Sequence, residues 1–248
     1  MKNATDLIGR LRNLMPAHVQ PKFQSADELM AWHHEQADIE SKRVRQDNEQ
    51  TKVRGILGRS GICELHRRCT FANYQVASSE QQRALSHAKS YAQWFGNGFA
   101  SFVFSGNPGT GKNHLAAAIA SELMEKGKTV LVVTVPDLML RVRACYDEGK
   151  SESDLIDDLC IVDLLIIDEV GVQRETKSEF VLLNQIIDRR LSSMRPVGIL
   201  TNLNSNQMAE LLGARVMDRL TMDNGMWVAF TWGSYRNKVT SSVKGAAR

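Results

Sequence analysis

Cysteine, long apolar runs and charge of one sign are all scarce in this 248-residue chain. Cys63, Cys69, Cys145 and Cys160 are too few and too scattered for a disulfide framework, so the fold must rest on burial, as in a reduced, cytoplasmic protein. The longest apolar run, VDLLII at 162–167, has strand length and falls well short of the ~20 residues of a membrane span. The opening MKNATDLIGRLRNLM lacks the apolar centre of a signal peptide, and no membrane association is expected. Lys plus Arg number 31 against 28 Asp plus Glu, and a net charge of +3 excludes a protein that holds nucleic acid by bulk charge. Any nucleic-acid contact must be local. The small excess sits in the first 70 residues, 12 basic against 9 acidic, and the remainder balances at 19 each. What the chain does have is apolar content: 43% hydrophobic residues suffice for one large core with a small appendage.

The appendage is helical. Ala4, Leu7, Ile8, Leu11, Leu14 and Met15 form one stripe of a short amphipathic helix that Pro16 ends. A second helix begins at Ser25, with Ser25 and Glu28 at capping-box spacing, and carries Leu29, Trp32 and Ile39 toward a basic, Gln-rich stretch at 42–59. That stretch reads as a tether. Two helices of this size bury little by themselves, so Leu7, Leu11, Leu29 and Trp32 are expected to dock on a partner. A solvated helical hairpin is the plainer alternative.

From about residue 71 helices alternate with unbroken apolar strands. Helices are expected at 78–95, with Ser79 and Gln82 at capping spacing, at 113–127, across 137–160, at 177–191 and at 205–220. Strands are expected at 100–105, 129–135, 162–168, 197–201 and 226–232. Strands with few polar residues separated by helices imply an α/β fold, a parallel sheet covered on both faces.

Between the first strand and its helix, Gly106, Asn107, Pro108, Gly109, Thr110, Gly111 and Lys112 satisfy G-x-x-x-x-G-K. In that setting backbone N–H groups and the helix N-terminus wrap a polyphosphate while the lysine reaches its terminal phosphates. The glycines let the backbone come close. Asn113 stands where a Ser or Thr hydroxyl ordinarily meets magnesium, and its amide oxygen is a hard ligand on a longer arm. The strand LLIIDE then delivers Asp168 and Glu169 at the strand end where such sheets bind ligands. Asp168 suits magnesium, and Glu169 suits orienting a water for attack on phosphorus. Asn202, after VGILT, can bond that water or the γ-phosphate, or simply cap a helix. Arg215, Arg219 and Arg236 are candidate cations for the developing charge, and equally fit as surface arginines.

GNPGTGKN, LLIIDE, LTN, RVMDRL and SYR, in this order and spacing, closely resemble the AAA+ ATPases of the DnaC type, bacterial loaders of the replicative helicase. The resemblance covers essentially the whole chain. It implies a parallel-sheet P-loop (AAA+/ASCE) ATPase domain at 71–248 without a C-terminal helical lid, a helicase-binding helical domain at 1–50 and a basic linker at 51–70. It also implies ATP and Mg2+ as cofactors, hydrolysis to ADP and phosphate, Asn202 as sensor 1, Arg219 as the arginine finger and Arg236 as the sensor 2 arginine. The partners implied are a DnaB-type helicase, single-stranded DNA and further copies of the chain assembled on the helicase. The segment 136–160 resembles an insertion lining a DNA channel, with Tyr146 to stack on a base and Arg141 and Arg143 to meet phosphate. An aromatic at helical spacing is also ordinary packing. Phe71 and Tyr74 match a linker that encloses adenine, or else belong to the core.

Other functions fit parts of the pattern. An IstB-type transposition helper shares the fold, and Asn113 keeps open an adaptor that binds ATP without hydrolysing it. A small-molecule kinase suits the Asp-Glu pair less well and lacks an evident acceptor lid. Cys63, His66 and Cys69 space as C-x-x-H-x-x-C but lack the fourth ligand of structural zinc, so no zinc is expected there.

Overall fold

The computed structural model describes residues 23, 25–57, 66, 68–147, 149, 151–171 and 177–235. The expected first helix with Leu7 and Leu11, and also Cys63 and Arg236, lie outside them. The chain divides into two compact units, residues 1–48 and 49–248.

Helix α1 (Ala26–Leu57) starts where the capping signal places it: Glu28 N–H donates to Ser25 Oγ at 3.1 Å and Leu29 N–H to the Ser25 carbonyl. It then runs for 32 residues, through the stretch expected to be a tether. The correction has a compositional cause. Lys, Arg, Gln and Glu crowd that stretch, and these straight side chains favour helix without needing an apolar stripe to bury. From residue 26 to 44 only Leu29 and Trp32 are half-buried, and the Trp32 ring packs on Phe23 with centroids 5.4 Å apart.

The larger unit contains α2 (Ser79–Trp94), β1 (Phe102–Gly106), α3 (Lys112–Glu125), β2 (Val130–Thr134), α4 (Val135–Asp147), α5 (Glu152–Ile161) and β3 (Leu164–Val170). It continues with α6 (Lys177–Ser192), β4 (Val197–Thr201), α7 (Ser205–Leu220), a 3₁₀ turn at Met222–Asn224 and β5 (Met226–Phe230). All neighbouring strands are parallel, in the order β2-β3-β4-β1-β5. The strands read as unbroken apolar runs because each face has its own core. Phe102, Phe104, Leu164 and Ile166 join α2 and α3 on one side, and Val103, Leu165, Ile167 and Ile199 join α4 to α7 on the other. β4 is thereby placed between the phosphate-loop strand and the acidic strand. Its Gly198 is required by that neighbour, since a Cβ would lie 2.3 Å from Phe102 Cζ.

Three of the boundaries that differ from the sequence reading have a visible local cause. The cap of α2 is Ser78, one residue earlier, whose Oγ accepts from Gln81 N–H at 3.3 Å, while Gln81 Oε1 accepts from Ala77 N–H at 2.5 Å. The region 137–160 is two helices, because Ser151 caps α5 by accepting from Ser153 N–H at 3.1 Å. α4 begins at Val135, with Pro136 in the first turn, where its missing N–H costs no helical bond.

Candidate nucleotide site

The phosphate loop is shaped by close backbone approach. Gly106 ends β1 at φ 127°, and a Cβ there would lie 2.3 Å from the Phe230 carbonyl oxygen, which accepts from Asn107 N–H at 3.0 Å. Thr110 Oγ1 donates to the Asn107 carbonyl at 2.7 Å and closes the turn. Two residues that sequence reasoning did not single out for the site hold the loop from outside. Trp232 Nε1 donates to the Thr110 carbonyl at 2.9 Å, and Tyr235 N–H donates to the Gly109 carbonyl at 2.8 Å. Pro108 and Gly109 line the site by their place in the turn.

Lys112 opens α3 and is 6% exposed. Its ammonium donates to the carbonyls of Gly106 at 2.6 Å and Asn107 at 2.8 Å, and to Asn202 Oδ1 at 2.9 Å. The strand order makes this last bond possible, because the end of β4 abuts the end of β1. The Lys112 ammonium and the Asn202 amide therefore meet although 90 residues separate them.

The acidic pair sits at a break in the sheet. The β3–β4 register shifts between Ile167 and Val170, and Glu169 takes φ 61°, a left-handed conformation unusual for a side chain of its length. A bulge re-aims successive side chains, and it leaves Asp168 half-buried with Glu169 exposed. Burial pushes the Asp168 carboxyl above the ordinary aspartate range. The Glu169 N–H, donating to Oδ1 at 2.7 Å, and the Asn113 amide, donating to Oδ2, pull the other way.

Two clefts adjoin at Gly109, Lys112 and Asn113. One, of about 190 Å³, is lined by Lys112, Asn113, Asp168, Glu169, Thr201 and Asn202. The other, of about 320 Å³, is lined among others by Cys69, Asn73, Tyr74, Gln75 and His114. The first is the more polar of the two. Phe71 and Tyr74 differ in position. Both pack partly against the α2–α3 core, but only Tyr74 lines the cleft, its ring edge-on to His114 at 5.3 Å. Burial raises the Tyr74 hydroxyl to about 12. Gly111, at φ 98°, leaves the room this ring needs, since a Cβ would come within 2.9 Å of it.

Among the described residues lining these two clefts, neither Arg215 nor Arg219 occurs. Both follow the kink at Gly213 in α7 and turn to α6, where Asp188 accepts from each. On α4, Arg141 is half-buried and Arg143 exposed, with Arg143 4.0 Å from Glu179.

The chain is 51% identical over 241 residues to "Replicative helicase loader DnaC" of Escherichia coli (strain K12), covering 97% of this chain and 98% of that protein. A family model described as IstB-like ATP binding protein matches residues 9–242. The chain belongs to the DnaC family of IstB-like ATP-binding proteins. Another DnaC-family member, "Replicative helicase loader DnaC" of Buchnera aphidicola subsp. Schizaphis graminum, is 47% identical over 236 residues, covering 94% of this chain and 96% of that one. The fold of the family is shared as well: a structure titled "Crystal structure of the DnaC helicase loader" matches with a TM-score of 0.61 at 23% identity, over 68% of this chain and 100% of that chain. The DnaC resemblance and the α/β P-loop fold read from the motifs are borne out. No helix among the described residues of this DnaC-family chain is long and apolar enough to cross a membrane.

Proposed function

We propose that this chain is an ATP-hydrolysing loader that grips a DnaB-type replicative helicase with its N-terminal residues and delivers it to single-stranded DNA. The observation that carries this reading is identity extending through 97% of the chain, so that it includes the N-terminal unit as well as the nucleotide site. The domain limits of 1–50, 51–70 and 71–248 belong to the same proposal.

ATP would lie across the loop with its terminal phosphates in the polar cleft. Lys112 exchanges carbonyl partners for phosphate oxygens, Asn202 holds the far side of the γ-phosphate, and Glu169 orients the attacking water. Asp168 and Asn113 supply oxygen donors on one wall of the cleft, hydrogen-bonded to each other, and fit Mg2+, a hard ion commonly held by one or two carboxylates plus phosphates. When bound, the ion neutralises phosphate charge. Glu169→Gln should leave ATP binding intact and lower turnover by about 10²–10⁴-fold, as loss of a general base does. Wild-type turnover in that variant, measured as phosphate release, would remove Glu169 from the mechanism.

The helicase contact is assigned to Leu7, Leu11, Leu29 and Trp32. Leu29→Ala with Trp32→Ala should weaken the complex by about 2–4 kcal/mol, because aromatic and aliphatic anchors dominate helix-in-groove contacts, while ATP affinity stays unchanged. Sizing mixtures with helicase by light scattering reads this out, and undiminished binding by a chain lacking residues 1–50 would contradict it. Tyr146, Arg141 and Arg143 are assigned to single-stranded DNA. Copies of the chain would assemble on the helicase so that Arg219 of one meets the γ-phosphate held by the next, with Arg236 acting within the same site.

A further inference from the structure

We propose that Asp188 is a positioning residue for Arg219, holding the guanidinium ready on α6 for delivery to a neighbouring copy's nucleotide. The inference rests on the reading of Arg219 as a finger supplied between copies.

The geometry is a match of two helical pairs. Arg215 and Arg219 stand four residues apart on α7, on one face, where like charges repel. Asp188 and Ser192 stand four residues apart on α6 and present acceptors to that face. The helices are locked beneath this rim by Ile187, Leu191, Leu212, Val216 and Leu220, all in one buried cluster. Asp188 shares its two oxygens between the arginines: Oδ1 accepts from Arg219 Nη1, and Oδ2 from Arg215 Nη2 at 3.5 Å. The hold is unequal. The Arg219 side chain is 26% exposed and has a second acceptor in Ser192 Oγ at 2.8 Å, whereas Arg215 is 73% exposed. Among the described residues, the bonds from Arg219 to α6 all use Nη1, so its Nη2 and Nε hydrogens are not taken by Asp188 or Ser192.

A long arginine that must find a phosphate unaided loses side-chain freedom at that moment, while one already anchored by a single nitrogen has lost it beforehand and offers its other edge.

Turnover of mixed assemblies on helicase and single-stranded DNA tests this. Donor chains carry Lys112→Ala, so they contribute only a finger, and acceptor chains carry Arg219→Ala, so they contribute only a nucleotide site. The unmodified donor and acceptor should recover turnover when mixed. Adding Asp188→Ala to the donor should cut that recovery about tenfold or more, as misplacement of a catalytic group does. Asp188→Asn, whose amide oxygen still accepts from Nη1, should restore most of it. Adding Asp188→Ala to the acceptor instead should cost nothing, because the acceptor's own finger is already absent. That asymmetry is what a purely structural role would not produce.

Equal losses on the donor and acceptor sides overturn the proposal, and so does full or increased recovery with the Asp188→Ala donor. If the unmodified pair shows no recovery, the finger between copies is itself excluded and the role of Asp188 falls with it. Recovery by that pair alongside full recovery by the Asp188→Ala donor keeps the finger and rejects only Asp188.

Discussion

Lys112→Ala should abolish ATP binding, with a loss of about 100-fold or more in affinity. Lys112 is 6% exposed at the start of α3, its ammonium bonded to two loop carbonyls and the Asn202 amide oxygen. These partners are neutral acceptors, whereas a phosphate oxyanion adds the attraction of opposite charges to the hydrogen bond. Exchange toward phosphate is therefore favourable although the lysine already has acceptors. Each hydrogen bond to a charged group is worth ~1.5–3 kcal/mol, and a lysine between terminal phosphates makes more than one. The truncation also leaves Gly106, Asn107 and Asn202 without this donor. Fluorescent-nucleotide titration, with circular dichroism to verify folding, reads the result. An affinity equal to that of the unmodified protein would take Lys112 out of the phosphate site.

Arg219→Ala should leave ATP affinity unchanged and reduce helicase- and DNA-stimulated turnover by ~10³–10⁵-fold, the value of a finger given by a neighbour. The residue lines neither nucleotide cleft of its own chain but bonds Asp188 and Ser192 on α6. Its stabilising role is small by comparison, because ion pairs this accessible contribute ~0–1 kcal/mol. The two effects thus separate by size: loss of the ion pair shifts the melting temperature slightly, and loss of the finger removes turnover. Rate should rise with protein concentration until assembly is complete. Turnover independent of concentration and helicase would contradict a finger in trans.

Much of the nucleotide site was legible because its signals are local. GNPGTGK between an apolar strand and an Ala-rich helix, and LLIIDE ending in two carboxylates, carry their chemistry within a few residues, and β1, α3 and β3 stand where those strings place them. Asn202 was marked by its strand end, although its bond to Lys112 depends on β4 lying beside β1. What was not legible depends on tertiary neighbours. Nothing in the spacing of Trp232 or Tyr235 says that they brace the phosphate loop, and Asp188 lies in an ordinary charged stretch of α6 until α7 folds over it. The bulge that turns Glu169 left-handed has no marker such as glycine. Helix α1 misled for the opposite reason: its second half, rich in Lys, Arg, Gln and Glu, has no apolar period, so its charge reads as linker.

Transfer of a DnaB-type helicase onto covalently closed circular single-stranded DNA tests the loader reading most directly. The helicase, the chain and the circle are mixed with ATP, and helicase retained on the circle after a high-salt wash is measured. Retention should require the chain and ATP and should fail with Lys112→Ala. Equal retention without the chain, or with Lys112→Ala in its place, would contradict ATP-controlled loading.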